Sequence, residues 1–171
     1  MKTLYLARHA KSSWKYEELS DFERPLNSRG RRDAPMMGAV LNRMNVKPDL
    51  IISSPASRAI TYARILAEHV GYPLKRVRTD ERIYEATPDD LLEVIHSVSD
   101  RHAALMLFGH NPSLTWLSNL LSNYRIDNIP TSAIVAVEFD VEHWTDVVQH
   151  SGTVVFFEYP KKYTDSDDLS D

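Results

Sequence analysis

The chain has no cysteine, which excludes disulfides, a thiolate nucleophile and zinc–thiolate centres. Glycine is scarce, five in 171 residues. None of the glycine-rich loops that cradle nucleotide phosphates is present, nor are the paired motifs of P-loop enzymes. There is no excess of positive charge: the formal net charge is −4 and the isoelectric point is near 6.0. Nucleic acid is therefore not an expected partner, although a local cluster of arginines outweighs a mild global charge at short range. Long hydrophobic runs are missing too. Arg8 interrupts the opening apolar stretch after a few residues, too soon for a signal peptide or a membrane span. His69, His96, His102, His143 and His150 have no metal-ligand spacing. The expectation is a cytoplasmic protein with no membrane contact, no bound metal and no cofactor.

What is present begins with a core. At 43% apolar the chain suffices for one well-buried domain, expected over residues 1–163, with an acidic and disordered segment at 164–171. Strand-like runs at 3–8, 49–53, 75–78 and 103–108 alternate with stretches of helical period. Residues 11–25 are polar and read as a loop. Asn27 or Ser28 caps a helix running to about Met44, which Pro35 kinks or starts later. Ser54-Pro55, Thr87-Pro88 and Asn111-Pro112 each read as a cap followed by proline at the first helical position, and Gly71 ends the second helix. Runs at 132–139 and 152–159 finish the sheet as antiparallel edges. The fold class is α/β: a three-layer sandwich, mainly parallel, with helices on both faces.

An open α/β sheet gathers ligands at the carboxyl ends of its strands. Here the first strand ends in Arg8-His9, the second runs into Ser54-Pro55-Ala56-Ser57-Arg58, and a later one into Gly109-His110. Arginine's planar fork suits phosphate oxygens. Arg58 also falls in the first turn of a helix, where free N–H groups and the dipole favour an anion. Imidazole attacks phosphorus through a ring nitrogen, so His9 has a chemical role beside such a cradle. A single histidine at a strand end is ordinarily structural; two arginines and two histidines at three strand ends point to phosphoryl chemistry.

Leu6-Ala7-Arg8-His9-Ala10-Lys11-Ser12, then Ser54-Pro55-Ala56-Ser57-Arg58-Ala59, then Gly109-His110-Asn111-Pro112 resemble the histidine phosphatase (phosphoglycerate mutase-like) superfamily. The opening from Arg8 to Trp14, the run Arg24-Pro25-Leu26-Asn27-Ser28-Arg29-Gly30 and the run from Leu107 to Pro112 are most similar to its short SixA-type phosphohistidine phosphatases. The resemblance extends from Leu4 to about Phe157. It implies His9 as the phosphorylated nucleophile, and Arg8, Arg58 and His110 as the phosphate pocket, with Ser12 as a further phosphate contact. Lys11 and Lys15 are read as solvated loop residues. An acidic proton donor is implied in the segment from Asp80 to Glu85, with Glu81 first and Glu85 second. A phosphohistidine leaving group needs such an acid less than an alkyl ester does.

Two positions depart from the pattern. Ala10 stands where the broad superfamily has glycine, and Lys15 where its sugar-phosphate enzymes carry asparagine. The implied function is hydrolysis of phosphohistidine on a protein such as a phosphotransfer domain. Hydrolysis of small phosphate monoesters is the alternative within enzymes. A non-catalytic module that binds phosphorylated partners is the alternative outside them, and His9 argues against it, because binding needs no nucleophile.

Overall fold

The computed structural model describes residues 1–164; the acidic segment expected to be disordered lies, from residue 165 on, outside the described residues. Six strands form one sheet: β1 (Lys2–Arg8), β2 (Leu50–Ser53), β3 (Arg78–Thr79), β4 (Ala104–Gly109), β5 (Ile134–Phe139) and β6 (Gly152–Glu158). Their spatial order is β3-β2-β4-β1-β5-β6. The first four are mutually parallel; β5 is antiparallel to β1, and β6 to β5. The two last strands thus run as expected, but only β6 is an edge. The helices are α1 (Ser28–Arg43), α2 (Ser57–His69), α3 (Pro88–His96) and α4 (Ser113–Leu121).

Period-2 alternation in the central strands explains the layers. Leu105 and Leu107 of β4 join Leu4 and Leu6 of β1 under Leu91, Val94, Leu114 and Leu117 of α3 and α4. The intervening Met106 and Phe108 pack on the other face with Met37, Leu41, Tyr62 and Leu66 of α1 and α2. Both faces are covered, so these strands read as continuous apolar runs. Among the described residues no helix is long and apolar enough to cross a membrane.

Three local expectations change. The strand expected at 75–78 is mostly a 3-10 turn, Leu74–Arg76, and β3 is the two residues that follow. Lys75 and Arg76 are exposed there and have no apolar face to bury. Pro35 lies inside α1, which nevertheless starts at Ser28, capped by Asn27 accepting from the Gly30 amide at 2.8 Å. The cap–proline signal holds for Thr87-Pro88, whose threonine accepts from Asp90 N–H. It fails for Ser54-Pro55. There α2 begins three residues past Ser54, with Ala56 at the cap, and the Ser54 hydroxyl accepts from the Ala56 amide while it also meets His110. At the third signal Pro112 itself takes the cap position, while the Asn111 side chain accepts from Thr115 of α4 at 3.2 Å.

The parallel register aligns the carboxyl ends that matter. Arg8 pairs with Gly109 and Ser53 with Phe108. The next amides continue the ladder, His9 to Gly109 O at 3.1 Å and Ser54 to Phe108 O at 2.9 Å. Residues 9, 54 and 110 therefore leave the sheet side by side. Gly30 seats the following loop: a Cβ there would stand 2.1 Å from the Lys11 carbonyl oxygen, so only glycine allows this approach.

Candidate active site

His9 is 8% exposed and Arg58 6%, and both lie beside the His110 ring. The His9 and His110 ring centroids are 5.1 Å apart, tilted by 46°. His9 Nδ1 is 2.8 Å from the Ala10 carbonyl oxygen. A carbonyl only accepts, so Nδ1 carries the proton and Nε2 keeps its lone pair. Burial pushes the His9 pKa down to about 3; the hydrogen bond to Ala10 opposes this, and His110, Arg58 and Arg8 reinforce it. His110 is pushed down to about 4, by burial first and then by Arg58. Both imidazoles are therefore neutral at pH 7 in the ligand-free site.

His110 Nε2 lies 2.8 Å from Ser54 Oγ, which already accepts from the Ala56 amide at 3.2 Å. A hydroxyl oxygen has two lone pairs, so this contact forms with the proton on either His110 nitrogen. Nδ1 of His110 is buried with no partner, as are Nε of Arg8 and Nε of Arg58. Two arginine N–H groups and one imidazole nitrogen are thus desolvated and unpaired in one region. Such groups are costly without an acceptor, and a bound oxyanion would supply it.

The backbone after α4 steadies this set. Arg8 Nη1 donates to Ile129 O at 2.9 Å, and the Ser132 amide donates to His9 O at 3.0 Å. Tyr62, fully buried, donates its hydroxyl to Ser132 O at 2.6 Å. Ser132 itself has φ of 65°.

A second layer escaped sequence reasoning. Asp21, in a 3-10 turn (Asp21–Glu23) of the loop read as polar and aperiodic, is a hub. Its carboxylate accepts from Arg58 Nη2 at 3.0 Å, Arg24 Nη2 at 2.9 Å and the Tyr84 hydroxyl at 2.7 Å, and its carbonyl accepts from Arg58 Nη1 at 2.7 Å. Burial alone would raise the Asp21 pKa, but the bonds from Tyr84, Arg24 and Arg58 outweigh it and hold the group well below the usual carboxylate range. The same bond pushes Tyr84 up to about 12. Tyr84 also meets the His110 ring edge-on at 5.7 Å. Arg24 stands 3.6 Å from the Trp14 ring centroid. The one sequence signal for this layer was the Arg24-Pro25 motif.

The remaining candidates sit apart from the four. The Ser12 hydroxyl accepts from Arg24 Nη1, and Ser12 lines a neighbouring groove with Trp14, Lys15 and Arg31 that contains none of the four. Glu81 is exposed on the turn Glu81–Ile83. Glu85, not Glu81, lines a pocket together with His110. Glu85 is exposed as well. The turn ends after Ile83, and this backbone course carries residues 85 and 86 toward the start of α4, where Ser113 donates to Ala86 O.

A sequence model of the histidine phosphatase superfamily (branch 1) matches residues 4–106, and the chain belongs to that superfamily. An uncharacterized protein of Mycobacterium tuberculosis is 32% identical over 164 residues, spanning 90% of this chain and 99% of its own. A 2,3-bisphosphoglycerate-dependent phosphoglycerate mutase of Thermobifida fusca is 36% identical over 92 residues, 50% of this chain and 37% of the mutase. Among solved structures, the protein histidine phosphatase SixA complexed with tungstate superposes with a TM-score of 0.81 at 18% identity, over 95% of this chain and 99% of that one. A mycobacterial glucosyl-3-phosphoglycerate phosphatase superposes at 0.63 with 16% identity, over 90% of this chain and 97% of that one. The fold is the one these proteins share.

Proposed function

We propose that this chain is a phosphatase that passes a phosphoryl group through His9, and that its substrate is phosphohistidine on a protein such as a phosphotransfer domain. One observation carries the chemistry: a neutral, buried His9 with Nε2 unprotonated, beside buried side-chain nitrogens of Arg8, Arg58 and His110 that lack a partner.

In the first step Nε2 of His9 attacks phosphorus, a P–N bond forms, and the bond to the leaving group breaks with its electron pair going to that group. Arg8 and Arg58 hold the equatorial oxygens through their forks, and His110 completes the cradle in the tautomer that an oxyanion selects, with its proton on Nδ1. In the second step water adds to phosphorus, the P–N bond to His9 breaks, and phosphate leaves with the water proton. His9 returns to its neutral tautomer, fixed by Ala10.

The phosphohistidine reading is supported by the resemblance of the short chain to SixA-type enzymes and by its fold similarity, higher to SixA than to the sugar-phosphate phosphatase. The test is hydrolysis of a phosphohistidine-bearing phosphotransfer domain beside a panel of phosphate monoesters. The expected result is a kcat/KM on the phosphoprotein well above any ester. Preference for one ester would replace this substrate with a small molecule, and inactivity on all would reduce the chain to a binding module.

A further inference from the structure

Next to the phosphoryl site lies a pocket of about 340 Å³. It shares His110 with that site, while His9, Arg8 and Arg58 are not among its lining residues. Its walls include Ile83, Pro88, Leu91 and Trp116, and Glu85 is its one charged lining residue. Ile83 and Leu91 are each 1% exposed, so this part of the pocket is packed core. Trp116 is different. Helix α4 turns Leu114, Leu117 and Leu121 into the core, yet leaves the indole 57% exposed. The open indole adjoins the apolar wall of this pocket, so a flat ligand there has an aromatic face to cover. The bond from Ser113 to Ala86 O ties the start of α4, which carries Trp116, to the segment that carries Glu85.

We propose that this pocket is the leaving-group subsite and takes a planar ring bonded to the phosphoryl group, the imidazole of phosphohistidine, against Trp116 with its second nitrogen donating to Glu85. This rests on the phosphatase reading above. In-line displacement sends the leaving group away from His9, and this pocket shares His110 with the phosphoryl site while His9 does not line it. Apolar walls with an indole suit a flat ring, and among the polar lining residues Thr87, Asn111, Ser113 and Glu85, only Glu85 carries the charge that fixes a donating N–H. The chemistry balances. As Nε2 of His9 bonds to phosphorus, the electron pair of the breaking P–N bond goes to the ring nitrogen. With a proton on its distal nitrogen the ring departs as neutral imidazole instead of imidazolate, and Glu85 favours that protonated form by accepting the N–H.

The experiment measures kcat/KM for N-phosphorylimidazole and for acetyl phosphate, which has no ring, and compares their ratio across the wild type, Trp116→Ala, Trp116→Phe and Glu85→Gln. Trp116→Ala and Glu85→Gln should each lower the ratio about ten-fold, the size of a lost ring contact or hydrogen bond, and Trp116→Phe should restore most of it. Taking a ratio within one variant removes any loss of folded protein. An unchanged ratio in either Trp116→Ala or Glu85→Gln overturns the subsite. Failure of the phosphatase reading looks different, since the wild type would then turn over neither substrate.

Discussion

The two halves of the sheet contribute differently to the site. The parallel half, β3-β2-β4-β1, points its carboxyl ends one way, and the residues just past those ends supply His9, Ser54, Arg58 and His110 after Arg8 closes β1. The antiparallel half meets the site with the beginning of β5 and the segment before it, and what it supplies is backbone. Ile129 O, the Ser132 amide and Ala133 O hold Arg8 and His9 in place. One half lines the candidate site with side chains while the other holds them with main chain, a division that follows strand direction. The same direction rule places ligands at carboxyl ends in open α/β sheets.

Substitutions in the parallel half should cost most. His9→Ala should remove turnover altogether while circular dichroism stays native, because no second nucleophile stands in its place. Arg8→Ala and Arg58→Ala should each lower kcat on the order of 10²-fold or more, the cost of deleting one preorganised donor to a developing oxyanion. Asp21→Asn should lower kcat/KM by roughly ten-fold, because Arg58 loses its ionic partner and its fixed orientation. Added guanidinium should not rescue Asp21→Asn, since the arginine is still there, but should partly rescue Arg58→Ala.

A smaller effect concerns stability against pH. The folded-state pKa values of His9 and His110 lie near 3 and 4, below the unfolded value of about 6.5. Below that value the unfolded chain binds protons that the folded chain does not, so stability is full above about pH 6.5 and falls as pH drops toward the folded pKa values. Tm should therefore decline from pH 7 to pH 5, and a His9→Gln/His110→Gln double variant should show a flatter profile by calorimetry. An equal slope in wild type and variant would mean that the buried histidines do not set it.

The smallest effect is expected in the antiparallel half. Ser132 has φ of 65°, a conformation glycine adopts without cost, and its amide survives substitution. Ser132→Gly should keep kcat within about two-fold of wild type. A large loss would break the division between the halves, since it would mean that the segment before β5 contributes a side chain to the reaction.

Much of this was legible in the sequence, for identifiable reasons. Strands β1, β2 and β4 are short apolar runs between polar punctuation, and the polar residues just beyond them are the ones that converge. The layers followed from helical spacing such as Leu114, Leu117 and Leu121. The start of α2 differs from the cap–proline signal because Ser54 holds the Ala56 amide before the helix begins and also meets His110, 56 positions away. Asp21 was invisible for the same reason. Its bond to Arg58 spans 37 positions and its bond to Tyr84 spans 63, and nothing in a polar, aperiodic loop announces either. The resemblance ranks Glu81 first and Glu85 second, and what it does not carry is how the turn after β3 meets the start of α4, which brings Glu85 to the pocket that His110 lines.

The central claim is that the phosphoryl group is carried on His9. Rapid mixing of the protein with a labelled phosphohistidine domain, an alkaline quench that preserves phosphoramidates, and mass spectrometry of the digest test it most directly. The expected result is a transient phosphoryl group on Nε2 of His9, forming and decaying at rates that account for turnover and absent in His9→Ala. Stoichiometric label on His110, or full turnover with no phosphorylated histidine at any time point, would contradict it.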